Sequence, residues 1–210
     1  MSTLSEHPYA KAIWQRLMSK FNNELGVAAL MGNLQAESGL YPDRVQGDVP
    51  YSEYSKTYTA RVDSGDISEY DFIHNAPNGG GYGLAQWTYY TRKQALYNKW
   101  KEGNYSSIGS VELACDYLCE ELENDYSSIF NAIKNARNLR DTSDNVLHNF
   151  ENPADQSTEV EELRASMGQA IYAEFTGVSG DEGGGGGTTT PSRKNRMSKL
   201  LLYACATDII

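Results

Sequence analysis

Residues 27–40 form the segment that limits the possible folds most tightly, because apolar residues recur there at helical spacing and lead to a single acid. The apolar residues follow the i, i+3, i+4, i+7 pattern of one helix face and are Val27, Leu30, Met31 and Leu34. Glu37 continues this face three positions after Leu34. The sequence therefore predicts an amphipathic helix whose last turn points a carboxyl group into the protein.

Glu37 also lies near the C-terminus of this predicted helix. Gly39 suits the left-handed conformation that ends many helices, and Leu40 can pack back on the last turn. Burial and the negative end of the helix dipole both disfavour a carboxylate, so we expect Glu37 to hold a proton near neutral pH. Such an acid suits a glycosidase, which must protonate a leaving sugar oxygen. The alternative is a structural glutamate paired with an arginine or a backbone amide.

A second segment, residues 79–88, combines glycines with aromatic and polar side chains. Three successive glycines, and Gly83 after them, permit a close backbone approach. Rings and hydrogen-bonding groups are concentrated here and just beyond: Tyr82, Gln86, Trp87, Thr88, Tyr89 and Tyr90. Aromatic faces with polar edges suit sugar rings, so the segment predicts a glycan-binding surface. The structural alternative is a glycine-rich turn followed by a core tryptophan.

Three motifs, in this order, resemble the phage tail-type lysozyme family of the wider lysozyme and lytic transglycosylase superfamily. They are Gln35-Ala-Glu37-Ser38, Gly81-Tyr-Gly-Leu-Ala-Gln86-Trp87-Thr88 and Phe150-Glu-Asn-Pro153. The resemblance covers residues 8–177 and implies a mainly α, lysozyme-like α+β fold. We expect a helical bundle around the catalytic helix, with residues 41–80 as a small β-hairpin lobe that forms a cleft.

The same resemblance implies roles for individual residues. It makes Glu37 the catalytic acid, and it places the glycine-rich motif and the motif that begins at Phe150 along a glycan cleft. The predicted substrate-binding residues are Ser38, Tyr82, Gln86, Trp87, Thr88, Tyr90, Phe150 and Glu151. The implied reaction is cleavage of the β-1,4 bond between N-acetylmuramic acid and N-acetylglucosamine in bacterial peptidoglycan.

The reaction type stays open at the level of sequence, because glycoside hydrolysis usually needs two carboxyl groups. Candidates for the second one come from the predicted lobe: Asp43, Asp48, Glu53, Asp63, Asp66, Glu69 and Asp71. If none of them faces Glu37, the superfamily's alternative is a lytic transglycosylase, in which one glutamate acts as acid and then base and the products carry 1,6-anhydro ends. A non-catalytic glycan-binding tail component is a further alternative.

Composition excludes several other classes of function. The net charge of −10 argues against nucleic acid, which needs clustered basic residues, and gives no long-range attraction to an anionic wall. The three histidines fit no metal-ligand spacing, so we expect neither a metal nor a cofactor. Recognition of a glycan should then depend on stacking and short-range hydrogen bonds.

Cysteine chemistry is also disfavoured. The three cysteines are Cys115, Cys119 and Cys205. Cys115 and Cys119 lie one turn apart on a predicted helix, where an unstrained disulfide does not normally form. We expect free, largely buried thiols. A nucleophilic pair of Cys115 with His148 is the alternative, but a core thiol and a surface histidine explain these residues more simply.

Domain boundaries follow from composition. We predict a lysozyme-like domain over 1–177, a Gly/Thr-rich linker over 178–192 and a basic then apolar tail over 193–210, which is either a docking or membrane-touching peptide or a short packed or disordered end. The N-terminus does not resemble a signal peptide, and the longest apolar run, 200–206, is far shorter than the ~20 residues of a membrane span. We therefore expect no stable membrane insertion.

A route to the wall without a signal peptide is delivery in a virion tail or release at lysis. The resemblance favours the tail, and it implies peptidoglycan strands and other phage tail proteins as partners.

Local patterns predict the other elements. Helices are expected from Pro8 and over 91–102, 110–124, 127–137, 143–150 and 159–176. Residues 57–62 have the pattern of a short strand in the lobe. The last helix should open with a capping box of Thr158 and Glu161 and end at Gly177.

Overall fold

The computed structural model describes residues 4–178 of the chain, so most of the predicted linker, the predicted tail and Cys205 lie outside the described residues. Within residues 4–178 the protein has nine α-helices: α1 (Ala10–Phe21), α2 (Glu24–Ser38), α3 (Glu53–Ser64), α4 (Glu69–His74), α5 (Tyr90–Glu102), α6 (Val111–Asn124), α7 (Ser127–Lys134), α8 (Leu139–Val146) and α9 (Thr158–Thr176). A 3₁₀ turn precedes α1, and a π-helical turn, Leu147–Glu151, continues α8. The predicted mainly helical fold is confirmed.

Helix α2 is the central element, and α1, α7, α8 and α9 pack around it. Asn23 caps its start by accepting a hydrogen bond from the Gly26 backbone N–H at 2.9 Å, and Gly39 ends it with a φ of 65°. Every residue from Gly26 to Leu34 is buried. The predicted single apolar stripe is therefore wrong in extent, because the small residues on the opposite face also pack against neighbouring helices.

Helices α2 and α9 approach each other through two glycines. A Cβ atom on Gly32 would lie 2.5 Å from the carbonyl oxygen of Arg164 and 2.5 Å from the backbone nitrogen of Gly168. A Cβ atom on Gly168 would lie 2.9 Å from the carbonyl oxygen of Ala28. The two backbones are thus in direct contact, which brings the side chains of α9 close to the C-terminal half of α2.

The predicted β-hairpin lobe is wrong, since residues 41–80 hold α3 and α4 instead. Ser52 caps α3 by accepting a hydrogen bond from the Tyr54 backbone N–H at 3.2 Å, and Gly65 ends the helix with a φ of 83°. The predicted strand over 57–62 lies inside α3, whose buried residues recur at helical spacing: Ser55, Tyr58, Thr59 and Val62. In the described residues, β pairing is limited to two isolated bridges, Val45 with Tyr82 and Tyr82 with Trp87.

Asp48 anchors the start of α3. Its Oδ2 atom accepts hydrogen bonds from the backbone N–H groups of Ser52 and Ser55, at 3.0 and 3.2 Å, and the two serine hydroxyls donate to the carboxylate at 2.6 Å each. Burial disfavours the carboxylate, but these hydrogen bonds outweigh that effect and hold the pKa of Asp48 below its ordinary value.

We expect the substitution Asp48→Asn to lower the free energy of unfolding by about 2 kcal/mol, because the charged acceptor of these hydrogen bonds is lost. Because the folded-state pKa lies below the unfolded one, this stabilisation is present above the ordinary pKa and disappears as the pH falls through the folded-state value. Urea unfolding at neutral and acidic pH measures it. Asp66→Asn at an exposed site is the control, and equal stability of Asp48→Asn and the unsubstituted protein at neutral pH would contradict the prediction.

The other predicted helices are present, but several of them begin or end at residues other than those predicted. Helix α1 begins at Ala10 rather than Pro8. Helix α8 begins at Leu139, before the predicted 143, because the Asn138 side chain caps it by accepting from the Asp141 backbone N–H at 3.2 Å. Helix α9 ends as predicted, with Gly177 at a φ of 71°.

The predicted capping box of α9 is wrong in register. The N-cap residue is Ser157, one position before the predicted Thr158, and its side chain makes no capping hydrogen bond. The Glu161 carboxylate is instead bonded to Arg140 and His148 at 2.8 and 2.9 Å.

Candidate active site

Glu37 lies in the last turn of α2 and forms an ion pair with Arg164 of α9. The Nη2 atom of Arg164 donates to Oε1 of Glu37 at 2.5 Å, and the side chains of Arg164 and Glu37 are 8 % and 20 % exposed. This agrees with the predicted inward direction of Glu37. The arginine partner that the sequence left as an alternative is therefore present, although the Glu37 side chain is not fully buried.

Arg164 is itself held in place by three helices. Its Nη1 atom approaches Oδ1 of Asn33 at 3.4 Å. Asn33 is fully buried on α2 and donates to the carbonyl oxygen of Ala29 at 3.0 Å and to the hydroxyl of Ser143 on α8 at 3.1 Å. The guanidinium is therefore fixed beside Glu37 by the packing of α2, α8 and α9.

Ser38 is fully buried, and its hydroxyl donates to the carbonyl oxygen of Leu34 at 3.0 Å. In this position it closes the last turn of α2 and does not face solvent. Its predicted contact with substrate is replaced by a structural role beside Glu37.

The glycine-rich segment, residues 79–88, forms a tight turn that packs against the residues immediately following α2. Tyr82 and Trp87 exchange backbone hydrogen bonds at 3.2 and 2.9 Å. Gly83, with a φ of 79°, has space for no side chain, since a Cβ atom there would lie 2.9 Å from the Trp87 ring. The Gln86 amide donates to the carbonyl oxygens of Gly83 at 2.9 Å and of Arg44 at 3.2 Å. The turn therefore lies against the segment that follows the Glu37 helix.

Two aromatic residues of this turn are core residues, which corrects their predicted role as sugar-stacking surfaces. Tyr82 and Trp87 are 1 % and 0 % exposed, so neither ring offers a face to a ligand. The Tyr82 hydroxyl is hydrogen bonded to the Thr59 hydroxyl at 2.8 Å, and the Trp87 indole N–H donates to Glu121 at 3.0 Å. Both rings anchor the turn to the protein core, as the alternative of a glycine-rich turn followed by a core tryptophan predicts.

Other aromatic rings near this turn are accessible. Tyr90 is 61 % exposed and stacks on His74 with ring centroids 5.8 Å apart, and His74 contacts Tyr70 at 4.6 Å. Thr88 is exposed as well. The sequence missed Tyr70 and His74, because the contact arises only when α4 packs against α5.

A second buried ion pair connects the turn to the helices. Arg92 of α5 binds Glu121 of α6 through two hydrogen bonds, at 2.5 and 2.8 Å. The same carboxylate accepts from Trp87, and its side chain is 2 % exposed. No local pattern marks Arg92, Glu121 or Arg164, so sequence reasoning missed all three.

The motif that begins at Phe150 ends the π-helical turn. Phe150 is 3 % exposed and packs under the Arg92 guanidinium, which lies 5.2 Å from its ring centroid, so its predicted substrate contact becomes a structural role. Glu151 is half-buried, and its Oε1 atom is buried without a hydrogen-bond partner. Burial, and then the neighbouring charge of Glu37, raise the pKa of Glu151 well above its ordinary value.

The lobe acids do not supply a partner for Glu37. Within residues 4–178, none of the seven candidates forms a hydrogen bond or ion pair with it. Asp43, for example, accepts from the Tyr51 hydroxyl at 2.7 Å, and Asp63 accepts from the Ile108 backbone N–H at 2.9 Å. A carboxyl group outside the lobe, that of Glu151, does feel the charge of Glu37, which, in addition to burial, raises the pKa of Glu151.

The two cysteines within residues 4–178 carry no catalytic arrangement. Cys115 and Cys119 are free and buried, as predicted. Burial raises the pKa of both thiols, that of Cys119 to about 12, so they stay protonated and unreactive. His148 is bonded instead to Gln156 and Glu161 at 2.8 and 2.9 Å.

Two other kinds of feature are absent from the described part of the chain. No cluster of histidine, cysteine or acidic side chains there has an arrangement that could hold a metal ion. No helix within residues 4–178 has both the length and the apolar character needed to cross a membrane.

Comparison with known protein families identifies the family of this chain. A family model described as phage tail lysozyme matches residues 8–175, a span that includes Glu37, the glycine-rich turn and the motif at Phe150. Neither a curated protein nor a solved structure matches the chain. Because the family match covers most of the chain, this protein belongs to the phage tail lysozyme family.

Proposed function

We propose that this chain is a glycosidase that cleaves the β-1,4 bond between N-acetylmuramic acid and N-acetylglucosamine in bacterial peptidoglycan. Family membership supports lysozyme-type activity on peptidoglycan. The observation that carries the finer proposal is the position of Glu37, a half-buried carboxyl group at the end of the central helix. Glycoside cleavage needs such a group, shielded from water yet within reach of the bond.

Glu37 is the proposed catalytic residue because its side chain is partly accessible and is held in position by Arg164. Its side chain is 20 % exposed, whereas that of Glu121 in the neighbouring ion pair is only 2 % exposed. A glycan oxygen can therefore approach Glu37 but not Glu121. The fixed Arg164 sets the orientation of the carboxyl group, which a reaction of this kind requires.

The proposed glycan contacts are the accessible members of the predicted set. Thr88 and Tyr90 are exposed and Gln86 is half-buried, so their side chains are available to sugar hydroxyls and ring faces. Ser38, Tyr82, Trp87 and Phe150 are buried and are therefore not among the proposed contacts. Because the net charge is −10, recognition should depend on these short-range contacts rather than on attraction to the wall.

Family membership also supports a site of action at the cell wall. We propose that the protein is carried in a virion tail, with other tail proteins as partners, or released at lysis.

A lytic transglycosylase is the second candidate. It is favoured by the finding that, in the described residues, no lobe acid contacts Glu37. In that reaction one glutamate donates a proton and later accepts one, while a hydroxyl group of the substrate closes an anhydro ring.

Mass analysis of the products tests both candidates. Purified protein is incubated with purified peptidoglycan, and the released fragments are examined for their ends. The hydrolase predicts reducing N-acetylmuramic acid ends, and the transglycosylase predicts 1,6-anhydro ends. Binding to peptidoglycan with no released fragments would contradict both and identify a non-catalytic glycan-binding protein.

A further inference from the structure

Lys93 is a buried lysine without a partner. It closes the first turn of α5, its backbone N–H donating to the carbonyl oxygen of Tyr89 at 3.0 Å, and it is 2 % exposed. Its side chain makes no hydrogen bond or ion pair with residues 4–178, and burial lowers the pKa of its ammonium group without any carboxylate to offset the effect. Lysine is almost never buried unless its charge is paired, so Lys93 requires an explanation.

The start of α5 adds to the positive potential around Lys93. The first N–H groups of an α-helix have no acceptor within the helix, and the helix dipole is positive at this end. The N-cap residue, Tyr89, makes no side-chain capping hydrogen bond, and the first turn of α5 contains no acidic residue. Arg92 in this turn is neutralised by Glu121, whereas Lys93 is not. The described residues therefore supply no anion to this end of α5.

The glycine-rich turn leaves space next to the Lys93 ammonium group. Gly80 has a φ of 92°, and a Cβ atom there would lie 3.2 Å from Nζ of Lys93 and 4.0 Å from the carbonyl oxygen of Thr88. The lack of a side chain at Gly80 therefore keeps room beside Nζ. Nζ is not one of the unpaired side-chain atoms of residues 4–178 that are closed to solvent, so the buried part of Lys93 is its hydrocarbon stem.

We propose that Nζ of Lys93 and the first N–H groups of α5 bind a carboxylate group of peptidoglycan. Such carboxylates occur on the peptides and, where a peptide has been removed, on the lactyl group of N-acetylmuramic acid. The carboxylate would accept hydrogen bonds from both kinds of donor and supply the missing counter-charge. The site adjoins Thr88 and Tyr90, the exposed residues proposed to contact the glycan. The choice of peptidoglycan as the source of the carboxylate rests on the proposed function.

This role explains why the protein holds a residue that destabilises it. An unpaired buried charge costs free energy in the free protein, whereas the same charge attracts a carboxylate more strongly in a site shielded from water than at an exposed surface. Replacing Lys93 with Met keeps the length of the side chain and removes the charge. We expect this variant to unfold at a higher urea concentration and to bind the carboxylate more weakly. If Lys93 had only a structural role, the same change would lower stability.

Three disaccharide ligands test the site in the unsubstituted protein. One is N-acetylglucosaminyl-N-acetylmuramic acid with a free lactyl carboxylate, one carries an alanyl-glutamate peptide on that group, and the third is chitobiose, which has no carboxylate. Binding is followed by NMR titration of the backbone amide signals of Gly80, Tyr90 and Thr91. We expect at least one of the first two ligands to shift these signals and to bind about 10-fold more tightly than chitobiose, the factor that a hydrogen bond to a charged group, worth roughly 1.5 kcal/mol, produces. The ligand that binds more tightly identifies the source of the carboxylate.

Two variants complete the test. Lys93→Met should lose the preference for the carboxylate ligands. Lys101→Met removes the same charge from an exposed position near the other end of α5 and should keep the preference. Equal binding of the three ligands by the unsubstituted protein would overturn the inference, and so would a preference that persists in Lys93→Met or a loss of stability in that variant.

The outcome for the site is separate from the outcome for the reaction. None of the three disaccharides contains the bond that the enzyme is proposed to cleave, so their binding is measured without turnover. A protein that prefers the carboxylate ligands but releases no fragments from peptidoglycan would refute the proposed function and retain the carboxylate site. A protein that releases fragments without this preference would retain the function and refute the site.

Discussion

Replacing Glu37 with Gln should lower the rate of peptidoglycan clearing by about 10³-fold, the range that loss of a general acid or base produces. The reason is that the amide keeps the size of the side chain but cannot transfer the proton. Turbidity of a suspension of purified peptidoglycan, followed over time, measures the rate. Binding of the variant to the same peptidoglycan should persist, because the accessible Thr88 and Tyr90 are unchanged.

The variant must be compared with one that loses a similarly exposed, arginine-paired carboxyl group elsewhere. Glu37→Gln leaves the Arg164 charge without its anion, which should lower the free energy of unfolding by about 3 kcal/mol. Glu161→Gln matches in the exposure of the carboxyl group, since Glu161 also pairs with an arginine and its side chain is 21 % exposed, against 20 % for Glu37. The arginine that it leaves, Arg140, keeps a second carboxylate partner in Asp144, so its loss of stability should be smaller. We expect Glu161→Gln to clear peptidoglycan at the unsubstituted rate. Clearing by folded Glu37→Gln at that same rate would refute the assignment of Glu37.

The sequence predicted the features that depend on neighbouring residues. Gly39 and Gly177 end α2 and α9 in the left-handed conformation, as their positions after helical stretches indicated. The inward direction of Glu37 followed from the spacing of the apolar residues before it. These features are set within one or two turns of helix, where a single sequence holds the necessary information.

Residues 41–80 show why the helices α3 and α4 could not be predicted from the sequence. Residues 57–62 alternate in a way that fits a strand, but Ser52 caps a helix and the side chains of Ser55 and Val62 are buried on the same face. Asp48 stabilises that choice from outside the segment. The interactions that decide between helix and strand therefore lie outside the window that holds the alternating pattern.

The site shows a second limit. Tyr82 and Trp87 have the chemistry of sugar-binding residues, yet their burial depends on Thr59 and Glu121, which are distant in sequence. Likewise Arg164 meets Glu37 only because α9 crosses α2. The sequence could identify residue types that suit a glycan cleft, but which of these side chains are accessible and which are buried is a property of the tertiary structure.

Gly32→Ala should lower the free energy of unfolding by about 3 kcal/mol, the upper end of the usual cost of overpacking. The new Cβ atom would lie 2.5 Å from backbone atoms of Arg164 and Gly168, and backbone in a packed helix cannot move aside as a flexible side chain can. Urea unfolding measures the change. Because α9 must move away from α2, the contact between Arg164 and Glu37 should lengthen and clearing should fall as well.

Gly65→Ala separates steric overlap from backbone strain. Gly65 has a φ of 83°, and no neighbouring atom lies within 4 Å of the position that a Cβ atom would take, so alanine there meets strain without overlap and should cost about 1 kcal/mol. Gly32 has the opposite combination, because its backbone is helical and unstrained but leaves no space for a Cβ atom. If the two variants lose equal stability, the close contact of α2 and α9 does not limit the fold. A larger loss for Gly32→Ala, accompanied by reduced clearing, would show that this contact holds Arg164 against Glu37.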